Sequence, residues 1–270
     1  MSHIVTAIIQ GIIEGLTEFL PVSSTGHLIL SGDLMSFKGD KADTFEVFIQ
    51  LGAILAIVVL YWRKYLSLLG IVKNEVSQEA NGHSLNLGHI IVACLPAMAM
   101  GLVLNKVIKN YLFSPYTVLI GLVVGGVFMI YAERNAKPAK AQSMDGLSYR
   151  QALQIGLFQC LALWPGFSRS GATIAGGLLI GASYRAATNF SFLIAVPMMV
   201  AASGFDMLKS YKTLTASDMG YFAVGFVIAF IVALLAVVSF MKLLEKLKLS
   251  SFAYYRFVLA ILFGIYLLVR

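Results

Sequence analysis

Charge is what this 270-residue chain has least of: 12% of its residues are Asp, Glu, Lys or Arg, 59% are hydrophobic, and mean hydropathy is +0.84. Soluble domains carry about 25% charged residues, so that class is excluded. Cysteine is scarce too. Cys94 and Cys160 both lie inside apolar runs, which excludes a disulfide framework and a cysteine-based metal site and leaves packing as their role. The formal charge of +7 comes with no basic face interleaved with aromatics, so nucleic acid is not an expected partner. The positive charge reads instead as a topology signal facing anionic lipid. The start, Met1-Ser2-His3, lacks a basic leader region, and Glu14 and Glu18 interrupt the first apolar stretch; the first segment is therefore expected to stay in the mature protein. Strands alternating apolar and polar residues are also missing, which excludes a transmembrane barrel.

What is present is a series of continuous apolar blocks, uncharged over 47–62, 110–132, 186–205 and 219–241. About 20 residues cross a bilayer as helix, so the expectation is an all-α integral membrane protein built as a helical bundle. Eight apolar segments can be marked, near 4–35, 45–62, 87–105, 111–132, 151–182, 186–207, 219–241 and 251–269. The first and fifth are too long for one crossing and too short for two. Each is broken near its middle, at Pro21 and Pro165, where proline removes a helix donor and pushes the preceding residue out of helical geometry. Helix, break and half-helix is the pattern of a re-entrant hairpin, tolerated at membrane depth only where it lines a buried polar cavity.

A shift of 145 residues superposes Ala7 on Ala152, Gly11 on Gly156, Leu16 on Leu161, Ser23 on Ser168 and Gly26 on Gly171. Phe45, Ile49, Ala56 and Lys64 then meet Phe190, Ile194, Ala201 and Lys209 without a gap. Two repeats follow within one membrane domain, 1–134 and 151–270, each a re-entrant helix hairpin plus three transmembrane helices. Three crossings are odd, so the second repeat is inverted relative to the first, and the functional site is expected where the broken helices meet at the midplane. Counting loop cations puts seven on the N-terminal side (Lys38, Lys41, Lys106, Lys109, Lys209, Lys212, Arg270). Twelve fall on the other (Arg63, Lys64, Lys73, Arg134, Lys137, Lys140, Arg150, Arg185, Lys242, Lys246, Lys248, Arg256). Both termini are therefore expected outside.

The first broken segment reads Glu14-Gly-Leu-Thr-Glu18-Phe-Leu-Pro21-Val-Ser23-Ser24-Thr25-Gly26-His27. Two carboxylates four residues apart share a helix face, and intramembrane ionisable residues are functional by default. Any of Ser23, Ser24 and Thr25 can cap the next helix, and His27, three residues beyond Ser24, lies within reach of activating a hydroxyl or attacking phosphorus itself. The second reads Trp164-Pro165-Gly166-Phe167-Ser168-Arg169-Ser170-Gly171-Ala172-Thr173. Glycines, hydroxyls and a helix N-terminus describe an oxyanion site, and Arg169 adds a bidentate fork suited to phosphate. Arg169 can equally be a partner for Glu14 or Glu18. These residue types call for a phosphoester or pyrophosphate, bound by Arg169, Ser168, Ser170, Ser23, Thr25 and Thr173. Glu14 and Glu18 beside a phosphate imply a hard cation, Mg2+ or Ca2+.

These two stretches resemble the signature motifs of bacterial undecaprenyl-diphosphate phosphatases of the bacitracin-resistance type, and the segment pattern agrees along the whole chain. The resemblance implies hydrolysis of undecaprenyl diphosphate to undecaprenyl phosphate, recycling the lipid carrier of cell-wall synthesis in the bacterial inner membrane. The apolar segments make the chain a multi-pass protein in contact with membrane lipid, and the charge count, which has the first hairpin dip in from the outer face, leads to a site facing the periplasm, in agreement with the pathway the resemblance implies. The expected mechanism has Arg169 hold the diphosphate while Ser24 attacks, with His27 as base or acid; His27 is the alternative nucleophile. A transporter or flippase for a phosphorylated lipid is the competing expectation, since inverted repeats with a midplane site suit both. Oligomeric state is open, a homodimer included.

Overall fold

The computed structural model describes residues 3–72, 85–210, 218–244 and 246–269. In chain order the helices are α1 (His3–Thr17), α2 (Ser24–Met35), α3 (Asp40–Leu60), the short α4 (Trp62–Leu68), α5 (Leu87–Val107), α6 (Pro115–Arg134), α7 (Tyr149–Gln159), α8 (Arg169–Leu179), α9 (Tyr184–Ser210), α10 (Met219–Leu243) and α11 (Leu249–Val269). No strand forms among the described residues. Six helices, α3, α5, α6, α9, α10 and α11, are long and apolar enough to cross a membrane. The chain is an all-helical, multi-pass membrane protein.

The two segments that contain Pro21 and Pro165 do break. α1 ends at Thr17 and α2 starts at Ser24; α7, extended by a 3₁₀ turn over Cys160–Leu163, ends before the turn that leads to α8. Both new helices begin in the same way. Ser23 at φ 73° and Ser168 at φ 76° occupy a backbone region that L residues avoid. Each side chain then accepts from the backbone N–H three residues on, Ser23 from Gly26 at 3.3 Å and Ser168 from Gly171 at 3.1 Å. The cap bond offsets part of the backbone strain, since an uncapped first turn leaves donors unsatisfied in a medium without water.

Small residues let these short elements pack against the crossing helices. A Cβ on Gly15 of α1 would sit 2.7 Å from Val232 Cβ on α10, and one on Gly121 of α6 would sit 2.4 Å from the Pro165 carbonyl oxygen. Close backbone approach of this kind replaces the hydrophobic driving force that lipid removes. The turn before α8 is also held by a cation. Arg256, wholly buried on α11, donates through Nη2 to the carbonyls of Gly166 at 2.6 Å and Gly121 at 3.1 Å. This corrects the charge count. Arg256 is wholly buried inside the bundle instead of facing a membrane surface, so the twelve fall to eleven against seven. Lys73, Lys212 and Arg270 lie outside the described residues.

Polar bonds between loops sort by end of the bundle. Lys41 pairs with Asp218 at 3.0 Å at one end. At the other, Lys64 pairs with Asp145, Tyr149 donates to Asn86 at 2.8 Å, and the Ser250 N–H donates to Glu133 at 2.7 Å. Each of these bonds joins segments that the charge count assigns to one side.

Candidate active site

The two breaks meet. Ser24, the first residue of α2, donates its hydroxyl hydrogen to Glu18 Oε2. The other carboxylate oxygen of Glu18 accepts from Arg169 Nη2 at 3.4 Å, joining the first residue of α8 to the turn after α1. Arg169 Nη1 donates to the Ser191 carbonyl of α9 at 3.0 Å, and its Cζ stands 5.9 Å from the centroid of the Phe19 ring. Glu18 and Ser24 are each 7% exposed, so this hydroxyl–carboxylate–guanidinium chain runs through a region of low dielectric where its charges are strongly felt. Its middle member can accept the Ser24 proton, and its last can release Glu18 for an incoming phosphate.

A cavity of about 130 Å³ opens on this chain. Glu18, Ser23, Ser24, Thr25, Ser168 and Arg169 line it, with Gln50 from α3 and the apolar Met199 and Pro165. The other residues singled out in the sequence lie behind this lining. Ser170 donates to the Leu20 carbonyl at 2.9 Å and sits 3.2 Å from Ser168 Oγ, so it ties the two turns together. Thr173 donates to the Arg169 carbonyl at 2.8 Å and meets the Ser191 hydroxyl at 2.6 Å, which fastens α8 to α9.

His27 lies one turn along α2 from Ser24, but its ring is engaged elsewhere. Nδ1 is 2.7 Å from the Ser23 carbonyl, Nε2 is 2.8 Å from the Tyr255 hydroxyl, and the ring stacks on Tyr255 at 5.7 Å. The group on Ser24 Oγ is the Glu18 carboxylate, not the imidazole. Of the three hydroxyls able to cap α2, Ser23 takes that task, which leaves Ser24 and Thr25 to the cavity.

Glu14 is wholly buried, and neither carboxylate oxygen has a hydrogen-bond partner. A buried carboxylate without donors is costly unless a cation or a proton compensates it, and an oxygen donor at Glu14, which does not line the cavity, suits either. Among the described residues no three His, Cys, Asp or Glu side chains converge as a metal-binding group, so the protein would supply few of the ligands.

Gln50 was not anticipated from sequence, although a single amide inside an uncharged apolar block is the signal that marks it. A larger cavity of about 460 Å³ is lined by Glu133, Tyr184, Arg185, Lys248 and several leucines; there, among the described residues, the Tyr184 hydroxyl has no hydrogen-bond partner and Glu133 accepts from the Ser250 N–H, so no hydroxyl–carboxylate–guanidinium chain forms as it does around Glu18.

The family model described as bacitracin resistance protein BacA matches residues 7–262. Curated relatives agree over nearly the whole length. Undecaprenyl-diphosphatase 1 of Bacillus thuringiensis subsp. konkukian (strain 97-27) is 56% identical over 268 residues, covering 99% of this chain and 100% of the relative. The proteins of the same name from Bacillus anthracis and Bacillus thuringiensis (strain Al Hakam) show the same identity and coverage. Both broken segments, with Glu14, Glu18, Ser24, His27 and Arg169, fall inside the matched region, and the chain therefore belongs to the bacitracin resistance protein BacA family.

Proposed function

We propose that the chain hydrolyses undecaprenyl diphosphate to undecaprenyl phosphate and inorganic phosphate, returning the lipid carrier to cell-wall synthesis and so conferring bacitracin resistance. The observation that carries the reading is the Ser24–Glu18–Arg169 chain on one cavity, in a protein 56% identical to undecaprenyl-diphosphatases over nearly its whole length. Arg169 clamps the diphosphate, since a planar fork matches phosphate oxygens bidentately. Its charge then turns from Glu18 to the substrate, which raises the basicity of the carboxylate next to Ser24. Ser24 Oγ attacks the terminal phosphorus, Glu18 takes its proton and passes it to the leaving phosphate oxygen as the bond to the bridging oxygen breaks, and undecaprenyl phosphate departs. Glu18, again a carboxylate, then takes a proton from the water that attacks the phosphoserine and returns it to Ser24 Oγ as inorganic phosphate leaves. Glu14 and Glu18 would hold a divalent cation, Mg2+ or Ca2+, which supplies charge neutralisation for the phosphate when bound.

The same reading assigns residues 1–134 and 151–270 to two inverted repeats, each with one re-entrant hairpin. Matching bounds support it: α1, α2 and α3 shifted by 145 overlie the α7 segment, α8 and α9, and Ser23 and Ser168 share φ and cap. The site faces the periplasm of a bacterial inner membrane. Support comes from Trp164, a cavity residue whose Nε1 donates at 3.0 Å to the Thr117 carbonyl, near the end of α6 that charge counting puts outside.

The deciding experiment is phosphate release from a prenyl diphosphate by purified protein in detergent, with and without chelator. Release without any membrane to cross supports a phosphatase. A protein that moves the lipid in vesicles yet frees no phosphate would be a transporter for a phosphorylated lipid.

A further inference from the structure

The polar residues that line the cavity come from the two broken segments, with one exception among the described residues: Gln50 of α3. Between residues 47 and 60 it is the one side chain with an amide or hydroxyl. A polar group inside an apolar span is costly unless it is hydrogen-bonded, and half of this amide is accounted for. Ser203 of α9, 1% exposed, donates its hydroxyl hydrogen to Gln50 Oε1 at 3.0 Å. An amide offers one acceptor oxygen and two N–H donors. With the oxygen occupied by Ser203, Nε2 is the end left for the cavity that Ser24 and Arg169 share.

The fold itself does not require polarity there. The position 145 residues later, which the proposed repeat aligns with Gln50, is Ala195, and it is wholly buried among apolar neighbours. What the amide adds is a neutral, directional donor. A diphosphate presents more acceptor oxygens than one guanidinium fork can satisfy, and a second cation in this membrane-embedded cavity would carry its own desolvation cost.

We propose that Gln50 is a substrate-binding residue whose Nε2 donates a hydrogen bond to a phosphate oxygen of the bound diphosphate, and that Ser203 is a positioning residue that holds the amide in that orientation. The inference rests on the phosphatase reading of the same cavity.

The test measures two quantities on detergent-purified protein: affinity for farnesyl methylenediphosphonate, whose P–C–P bridge cannot be hydrolysed, and phosphate release from farnesyl diphosphate. Gln50→Met keeps the shape and removes the donors, and it should weaken analogue binding and kcat/KM by roughly tenfold to a hundredfold. Gln50→Glu, which sets an anionic oxygen against phosphate, should lose more. Ser203→Ala should cost less than Gln50→Met and nothing further in the Gln50→Met background, because the two act as one unit. Wild-type affinity in Gln50→Met would overturn the proposal. So would tighter binding and a lower cation requirement in Gln50→Glu, which would assign the amide oxygen to a cation. Thermal unfolding of each variant is followed in parallel, and a loss of affinity explained wholly by a smaller folded fraction also counts against it. If the wild type binds the analogue but frees no phosphate, the phosphatase reading fails, while the analogue affinities still decide the role of Gln50.

Discussion

At the scale of residues, the Glu18 carboxylate separates this site from a simple ion pair, because its two oxygens serve different partners. Under the proposed mechanism, replacing Ser24 with Ala removes the nucleophile and should reduce turnover to background. Glu18→Gln keeps the shape but cannot take the proton, so it should lower kcat by at least a hundredfold, within the range general-base catalysis supplies. A rapid-quench experiment checks the order of events: a phosphoserine that forms slowly in Glu18→Gln supports it, whereas a phosphohistidine in Ser24→Ala would move the attack to His27. Arg169→Lys keeps the charge and should still lose most activity, since an ammonium is a point donor without the fork; near-wild-type kcat/KM in that variant would reduce Arg169 to a counter-ion. Glu14→Gln should raise the Mg2+ or Ca2+ concentration needed for half-maximal rate, because a neutral amide is a weaker hard-cation ligand. An unchanged cation titration would remove Glu14 from the cation site. The residues that line the cavity stand out in the sequence as carboxylates, hydroxyls and an arginine against an apolar background, and Arg169 beside Glu18 was among the expected pairings; the partner of Ser24 was not. Sequence spacing brought His27 towards Ser24, but the turn after Thr17 instead folds Glu18 back onto that hydroxyl, six residues away, and Tyr255, far along the chain, takes the imidazole.

At the scale of elements, the informative position is the turn before α8, which closes a backbone bond from the Phe167 N–H to the Trp164 carbonyl at 3.0 Å but takes a side-chain donor at the Gly166 carbonyl. Arg256 supplies it from α11. Arg256→Met should strip the donor from the Gly166 carbonyl, at a cost of about 1–3 kcal/mol for that unsatisfied group, whereas the Gly121 carbonyl keeps its acceptor place within α6. A lower thermal midpoint in detergent together with weaker diphosphate binding is the expected pair of readings; a lower midpoint with unchanged affinity would confine Arg256 to stability. The breaks at Pro21 and Pro165 and the six crossings were legible, because proline and apolar length act locally. Arg256 was counted with the side-marking cations although it falls in the 251–269 segment, because a charge near the start of an apolar run looks the same in sequence whether it faces water or a buried carbonyl.

At the scale of the whole molecule, the cations divide seven against eleven, and the proposal that α1 and the termini lie outside rests on that bias. The prediction is read with Cys94 and Cys160 replaced and one cysteine at Thr25, a cavity residue. A thiol reagent that cannot cross the inner membrane should label Thr25→Cys in intact cells, and a diphosphate ligand should block it. Labelling confined to inverted vesicles would reverse the sidedness of the site. The chain joining Ser24, Glu18 and Arg169 also bears on how the protein is made. Glu18 leaves the ribosome roughly 150 residues ahead of the guanidinium that pairs with it, so until the second half arrives a carboxylate waits within the apolar first half without its cation. A chain cut short after α6 keeps that exposed charge, a mark that membrane quality control can recognise. Two separately expressed halves, divided in the loop between α6 and α7, would in turn have a charge-pairing reason to find each other.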